Sequence, residues 1–389
     1  MNHFIISPIV AHFNSLKHPD RRSSRLTVML MLMLYGFFMN TESEGADLYR
    51  YLRMLEDAKG PLVAIRDFLS LKDTDIYRSL SISIIGLFTK NGHILMAWFG
   101  FVLGYIQSRC LRFFKTKSDS DILSWILVVL IIGLTFPGLA GVRQITASWL
   151  FFYGLNVYVS DKNGKGLILM LSSILVHFSF MITVAMLLPF YFLKDRTRLC
   201  VVIFLASFFF TLPGISSFIS NIASQIGGVF ESRASTYSLE NTEYMDRLLS
   251  GNSELNWYIK YRSEVIMYGL AIFGLILTKL RRTVIIGERE RRFLNYFFLM
   301  FAFRNIVVDV PDLGVRTTGF CITIALYVVF LIYNANRRNR VIRNATFIVV
   351  AANFLNVAYA IRTTFDYVSL WELVVSPIIS LPIKMLEYL

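Results

Sequence analysis

The feature that most restricts this chain is the return, along nearly its whole length, of apolar runs about 15 to 20 residues long. Wound as a helix, such a run reaches across the hydrocarbon core of a bilayer, where each backbone polar group must find its partner within the protein. The expected fold is all-α: a polytopic integral membrane protein of roughly 10–12 transmembrane or half-membrane helices, forming one transmembrane domain over residues 1–389. Only 17% of the residues are charged, against about 25% in soluble domains. Met1 to Asn14 has neither a basic n-region nor a small-residue cleavage site, so a cleavable signal peptide is not expected.

Basic clusters give the orientation. Lys17, Arg21, Arg22 and Arg25 precede the first run, Leu26 to Met39, which puts the N-terminus in the cytoplasm. Further clusters follow at Arg109 to Lys117, Lys162 and Lys165, Lys194 to Arg198, Lys279 to Arg292, and Arg337 to Arg343. Most of the chain's basic residues lie in these segments, and the acidic residues are mostly elsewhere. The net charge of +13 is therefore an orientation signal with an affinity for anionic lipid headgroups, and argues for membrane lipids rather than nucleic acid as partners. Two polar segments fall outside: a first outer loop at 41–78, with an amphipathic piece from about Ile76 to Phe88 along the interface, and a large outer loop at 213–262. In that loop Glu231, Arg233, Tyr237, Glu240 and Tyr244 are unranked lid or glycan contacts. The tail from Val368 to Ile383 either lies on the outer interface or crosses back.

The stretch from Leu167 to Leu193 lies between two basic loops and must start and end on the same side. It is too short for two crossings of about 20 residues each. Its reading is a short or broken helical pair with His177 near the bend, within the membrane, where irregular backbone needs protein or a water-filled cavity around it.

Signatures of soluble enzymes are missing: no GxxxxGK[ST] loop, no GxGxxG after a strand, no HExxH and no paired CxxC. Cys110, Cys200 and Cys321 are scattered and suggest neither a metal site nor a disulfide. No metal and no cofactor is expected.

Candidate chemistry gathers around two residues. A Pro-Gly turn at Pro137 and Gly138 ends one apolar run, and the next helix opens with Arg143 and Gln144. By the topology above, Arg143 faces away from the cytoplasm, against the positive-inside pattern, in a first turn where the helix dipole also disfavours a cation. Both conflicts are relieved if an anion binds there, since free N–H groups and a guanidinium fork suit phosphate. The rival reading is an arginine snorkelling to lipid headgroups. His177 alone among five histidines sits deep in an apolar run, as a functional group or as a neutral imidazole bonded to a nearby carbonyl.

In the first outer loop Asp47, Arg50 and Tyr51 fall at i, i+3 and i+4 and so share a helical face. Aromatic, carboxylate and guanidinium groups at a membrane surface suit a sugar, though a solvated helix with interfacial tyrosines has the same pattern. Arg304 and Arg316 flank a short loop with Asp309 and Asp312; they either add cations to the Arg143 site or pair with those aspartates.

The segment Gly141-Val-Arg143-Gln-Ile-Thr-Ala-Ser148, the short loop with Lys162 and Lys165, and Leu175-Val-His177-Phe-Ser-Phe180 together resemble the EpsG branch of Wzy-type polysaccharide polymerases. Gly45-Ala-Asp47-Leu-Tyr49 is similar to that family's Gly-x-Asp-x-x-Tyr element, with the tyrosine one residue early at Tyr49 or one late at Tyr51. The matching segments are mainly residues 41–55 and 133–193; the C-terminal half matches in span layout only. The resemblance implies a GT-C-like glycosyltransferase of the bacterial inner membrane. Such enzymes join oligosaccharide repeat units carried on undecaprenyl pyrophosphate, at the outer face, into O-antigen, capsule or exopolysaccharide. It implies that Arg143 and His177 lie at the active site with Asp47 near it, and these three are the catalytic candidates. Gln144, Arg50, Tyr51, Arg304 and Arg316 are the substrate-binding candidates beside them. Its partners would be lipid-linked glycan donor and acceptor, with a chain-length regulator as a further one.

In that mechanism Arg143 stabilises the departing pyrophosphate, and His177 either bonds to it or deprotonates the acceptor hydroxyl, with Asp47 the other candidate base. The rivals are a transporter or flippase for the same lipid-linked glycans, to which a broken helix is equally suited, a membrane acyltransferase acting on surface sugars, and a non-catalytic scaffold.

Overall fold

Side chains that cap their own first turn fix where several helices begin. Asn91 accepts from the His93 N–H at 2.8 Å, Asp121 from Leu123 and Ser124, and Asn339 from Val341 and Ile342; each satisfies N–H groups that a helix start leaves open. The computed structural model describes residues 7–39, 47–115, 121–209, 257–280, 284–307 and 313–374, with single positions 4, 221 and 225. Among these residues there is no strand. Among the described residues, five helical stretches are long and apolar enough to cross a membrane: Gly92–Phe114, Ile122–Ser160, Tyr261–Lys279, Leu313–Ala335 and Arg340–Tyr367. The protein is all-α and polytopic. The large outer loop expected at 213–262 lies almost wholly outside the described residues, as do its five contact candidates and the tail beyond Val374.

Two compact units divide the chain: Met1–Leu69, Asp75–Phe178 and Val357–Leu389 form one, Ser70–Thr74 and Ser179–Asn356 the other. The first contains α1 (Pro8–Ser15), α2 (Arg22–Phe38), α3 (Asp47–Glu56), α4 (Pro61–Leu69), α5 (Ile76–Ile85), α6 (Gly92–Cys110), α7 (Ile122–Val128), α8 (Val142–Ser160) and α9 (Lys165–Val176). The first outer segment, read as a polar loop, thus contains α3, α4 and the start of α5.

Small residues bring these helices together. A Cβ at Gly100 of α6 would run into the Leu32 carbonyl of α2, one at Gly36 of α2 into the Met96 carbonyl of α6, and one at Gly104 would come 2.8 Å from the Met29 Cα. Gly100 and Gly104 are four apart on one face of α6, the spacing by which apolar helices pack backbone to backbone. Likewise α8 and α9 meet through Gly154, whose Cβ would lie 2.7 Å from the Gly166 carbonyl oxygen.

The apolar run from Ile122 to Phe136 is not one continuous α-helix. It leaves α geometry at Val129–Gly133, a π turn, and reaches α8 through a 3-10 turn at Phe136–Gly141. Pro137 has no N–H for a ladder, and Gly133 and Gly138 add backbone freedom, so the chain changes direction before Val142. The expected break near His177 is present: α9 ends at Val176, and His177 is extended, φ −151° and ψ 116°.

The second unit contains α10 (Phe180–Ala185), α11 (Leu187–Leu193), α12 (Thr197–Ala206), α13 (Trp257–Lys279), α14 (Glu288–Val307), α15 (Leu313–Ala335) and α16 (Arg340–Ala352). Past Asn353, whose side-chain amide donates back to the Val349 carbonyl at 2.8 Å, begins α17 (Phe354–Tyr367), which belongs to the first unit from Val357 onward. Phe204 of α12 packs against Phe298 and Phe301 of α14, ring centres 5.2 and 5.0 Å apart. At one end of this unit Asp195 binds Arg291 and Arg292. Inside it Arg304, only 5% exposed, pairs with Glu264 of α13 and donates to the Thr318 hydroxyl at 3.1 Å.

Candidate active site

An aspartate before an apolar helix would ordinarily cap it. Asp75 occupies that position before α5 and does not cap; its carboxylate turns to three other partners. One oxygen accepts from the Arg143 guanidinium in the first turn of α8. The other accepts from the Phe178 N–H at 2.9 Å. The His177 ring faces both, with Nδ1 3.4 Å from Oδ2 and 3.5 Å from Oδ1. Asp75 is 0% exposed, His177 3% and Arg143 8%.

Each partner is available for a local reason. Arg143 is in the first turn because α8 begins at Val142, just past the Pro-Gly turn. The Phe178 N–H can point outward because α9 has ended and the chain at His177 is extended. The guanidinium is held from a second side, where Nε donates to the Tyr51 hydroxyl of α3 at 3.1 Å. Tyr51 packs on Phe99 of α6, as does Tyr77 of α5, with centroid distances of 6.0 and 5.6 Å. Arg78 lies three residues after Asp75, on the same face of α5, and is also buried.

Burial by itself would push the Asp75 carboxyl above the ordinary carboxylate range. The contact with the His177 ring, the Arg143 guanidinium and the Phe178 N–H together outweigh it and hold the group well below that range. The centre thus contains a fixed carboxylate, a fixed guanidinium and an imidazole, all largely withdrawn from solvent. Such a centre can orient an imidazole, present positive charge to an anion and move a proton at a histidine nitrogen.

Of the residues singled out in the sequence, Arg143, His177 and Tyr51 are brought to this cluster. Gln144 is half-buried beside it on α8. Asp47 opens α3, but its side chain lies outside the described residues. Arg50 is exposed while Tyr51 is buried, its hydroxyl accepting from Arg143. Arg304 and Arg316 belong to the second unit, where Arg304 has Glu264 as its partner; Asp309 and Asp312 lie outside the described residues. Asp75 and Arg78 were not anticipated. The one signal for Asp75 was its position before an apolar helix, which points to a cap rather than a site. Among the described residues, no group of three or more His, Cys, Asp or Glu is arranged to hold a metal ion.

A family model described as the EpsG family matches residues 6–370. No curated protein and no solved structure matches the chain.

Proposed function

The chain belongs to the EpsG family, a family that points to polysaccharide polymerisation, and from that premise we propose that it joins lipid-linked repeat units by glycosyl transfer at the outer face of a bacterial inner membrane. The donor is a growing glycan on undecaprenyl pyrophosphate, and the acceptor is a terminal sugar hydroxyl of a second lipid-linked unit. As the anomeric bond breaks, negative charge grows on the departing pyrophosphate. Arg143, already oriented by Tyr51 and Asp75, meets that charge, and Arg78 on the adjoining helix face is a second cation that holds the pyrophosphate of the bound donor. Stabilising charge as it develops is where an enzyme gains most.

The observation that supports this reading is the convergence of Arg143 and His177 on one buried carboxylate. The two residues stand out separately in the sequence, and a lipid-facing arginine would need no such partner. The transporter reading draws on the same helix break at His177. Purified protein in liposomes, supplied with lipid-linked repeat units and no ATP, separates the two. Chain growth is the expected result, and its loss in Arg143→Ala at normal protein level places that residue in the reaction. Movement of lipid-linked units across the bilayer without chain growth would sink the proposal.

A further inference from the structure

The geometry points to Asp75 as a positioning residue that makes His177 the general base of the transfer reaction; this assignment rests on the polymerase reading above. An ionised carboxylate only accepts hydrogen bonds. The ring nitrogen facing it, Nδ1 at 3.4 and 3.5 Å from the two oxygens, must therefore carry the proton. In a neutral imidazole that makes Nε2 the basic nitrogen. The 3.4 Å separation is long for a hydrogen bond, as is common before substrate is bound, and charge on the ring would shorten it.

Asp75 is suited to this because it is itself immobilised. Arg143 holds one oxygen and the Phe178 N–H the other, and the carboxylate has no exposed surface. The Phe178 contact ties it to the residue next to His177, so carboxylate and imidazole share one frame. Both Asp75 and His177 lie in the first unit.

The step balances without any further reactant. The acceptor hydroxyl gives its proton to Nε2 of His177 as its oxygen bonds to the anomeric carbon of the donor sugar. The bond from that carbon to the phosphate oxygen breaks, and its electron pair leaves with the lipid pyrophosphate. The imidazolium is stabilised by Asp75 until its proton passes to water or to the departing phosphate. Asp75 touches no reacting atom in this scheme; it fixes the tautomer and orientation of the ring.

Histidine-selective ¹⁵N NMR of the full chain in lipid nanodiscs tests the assignment without any turnover, with His177→Gln identifying the signal. The expected spectrum has Nδ1 protonated and Nε2 bare; a main form with Nε2 protonated overturns the proposal. In the polymerisation assay Asp75→Asn should lower kcat about 10²- to 10⁴-fold, the usual worth of acid–base catalysis, with the donor KM changed little and part of the rate restored in Asp75→Glu. Unchanged kcat in Asp75→Asn would also overturn it. If that variant does not accumulate, the wild-type spectrum decides. A wild-type protein with the expected tautomer but no transfer activity would count against the polymerase reading and leave the Asp75–His177 geometry standing.

Discussion

Asp75 and His177 are 102 residues apart in the chain, and the carboxylate of one lies 3.4 Å from the imidazole of the other. Between them in sequence is Arg143, bound to the same carboxylate. One buried anion thus serves a cation and a titratable ring, delivered by the start of α8 and the end of α9.

This sharing makes single substitutions costly. Breaking one side of a buried ion pair leaves the other charge uncompensated, at a cost of about 3–5 kcal/mol, while removing both charges is far milder. Asp75→Asn should therefore lower the thermal midpoint more than Asp75→Asn combined with Arg143→Gln. Thermal unfolding in detergent compares them. A double variant less stable than Asp75→Asn alone would show that the pair does not behave as a unit.

The lowered pKa of Asp75 has a pH signature of defined sign. Its contribution to stability is fully present above the unfolded carboxylate value, about pH 4, and is lost as pH falls through the lower folded value. The difference in melting temperature between wild type and Asp75→Asn should not narrow between about pH 7.5 and pH 5, and should narrow below about pH 4. A gap that closes between pH 7 and 5 would mean the carboxylate is not held in its charged form.

Arg78 is buried one turn beyond Asp75 on α5. If it meets the donor pyrophosphate equally in ground and transition states, Arg78→Gln should raise the donor KM about 10-fold and leave kcat near normal, the pattern of lost uniform binding. Kinetics at varied donor concentration read this directly; a fall in kcat at unchanged KM would assign Arg78 to the transition state instead.

The α2–α6 contact has no room for a side chain at Gly100. Gly100→Leu should force the backbones apart and cost about 1–3 kcal/mol or more, seen as reduced accumulation and a lower melting point. Leucine at Gly60, where a Cβ would meet no atom within 4 Å, is the control and should behave as wild type.

The parts of this arrangement that the sequence disclosed were those that broke a local rule. Arg143 opposes both the orientation signal and the helix dipole, and His177 interrupts an apolar run too short to cross twice; each can be seen within a window of some 20 residues. Asp75 breaks no such rule. An aspartate before Ile76 satisfies the expectation for a helix start, and its real partners lie 68 and 102 residues away. Only the packing of α5 on α9 reveals them. The same holds for Glu264, whose partner Arg304 is 40 residues away on another helix. Tyr51 was visible as an interfacial aromatic, but not its inward direction, because neighbouring residues on a short amphipathic helix differ by about 100° and the sequence does not fix the roll of α3.

The glycine seam between α2 and α6 also bears on how the proposed lipid-linked substrate would reach the buried carboxylate. Where two backbones touch without intervening side chains, no acyl tail can wedge between them, so that wall of the first unit is closed to long-chain substrates. On the function proposed above, an isoprenoid carrier would approach from a different side of the unit, and cross-linking groups set along α2 and α6 near Gly36 and Gly100 should leave entry unhindered.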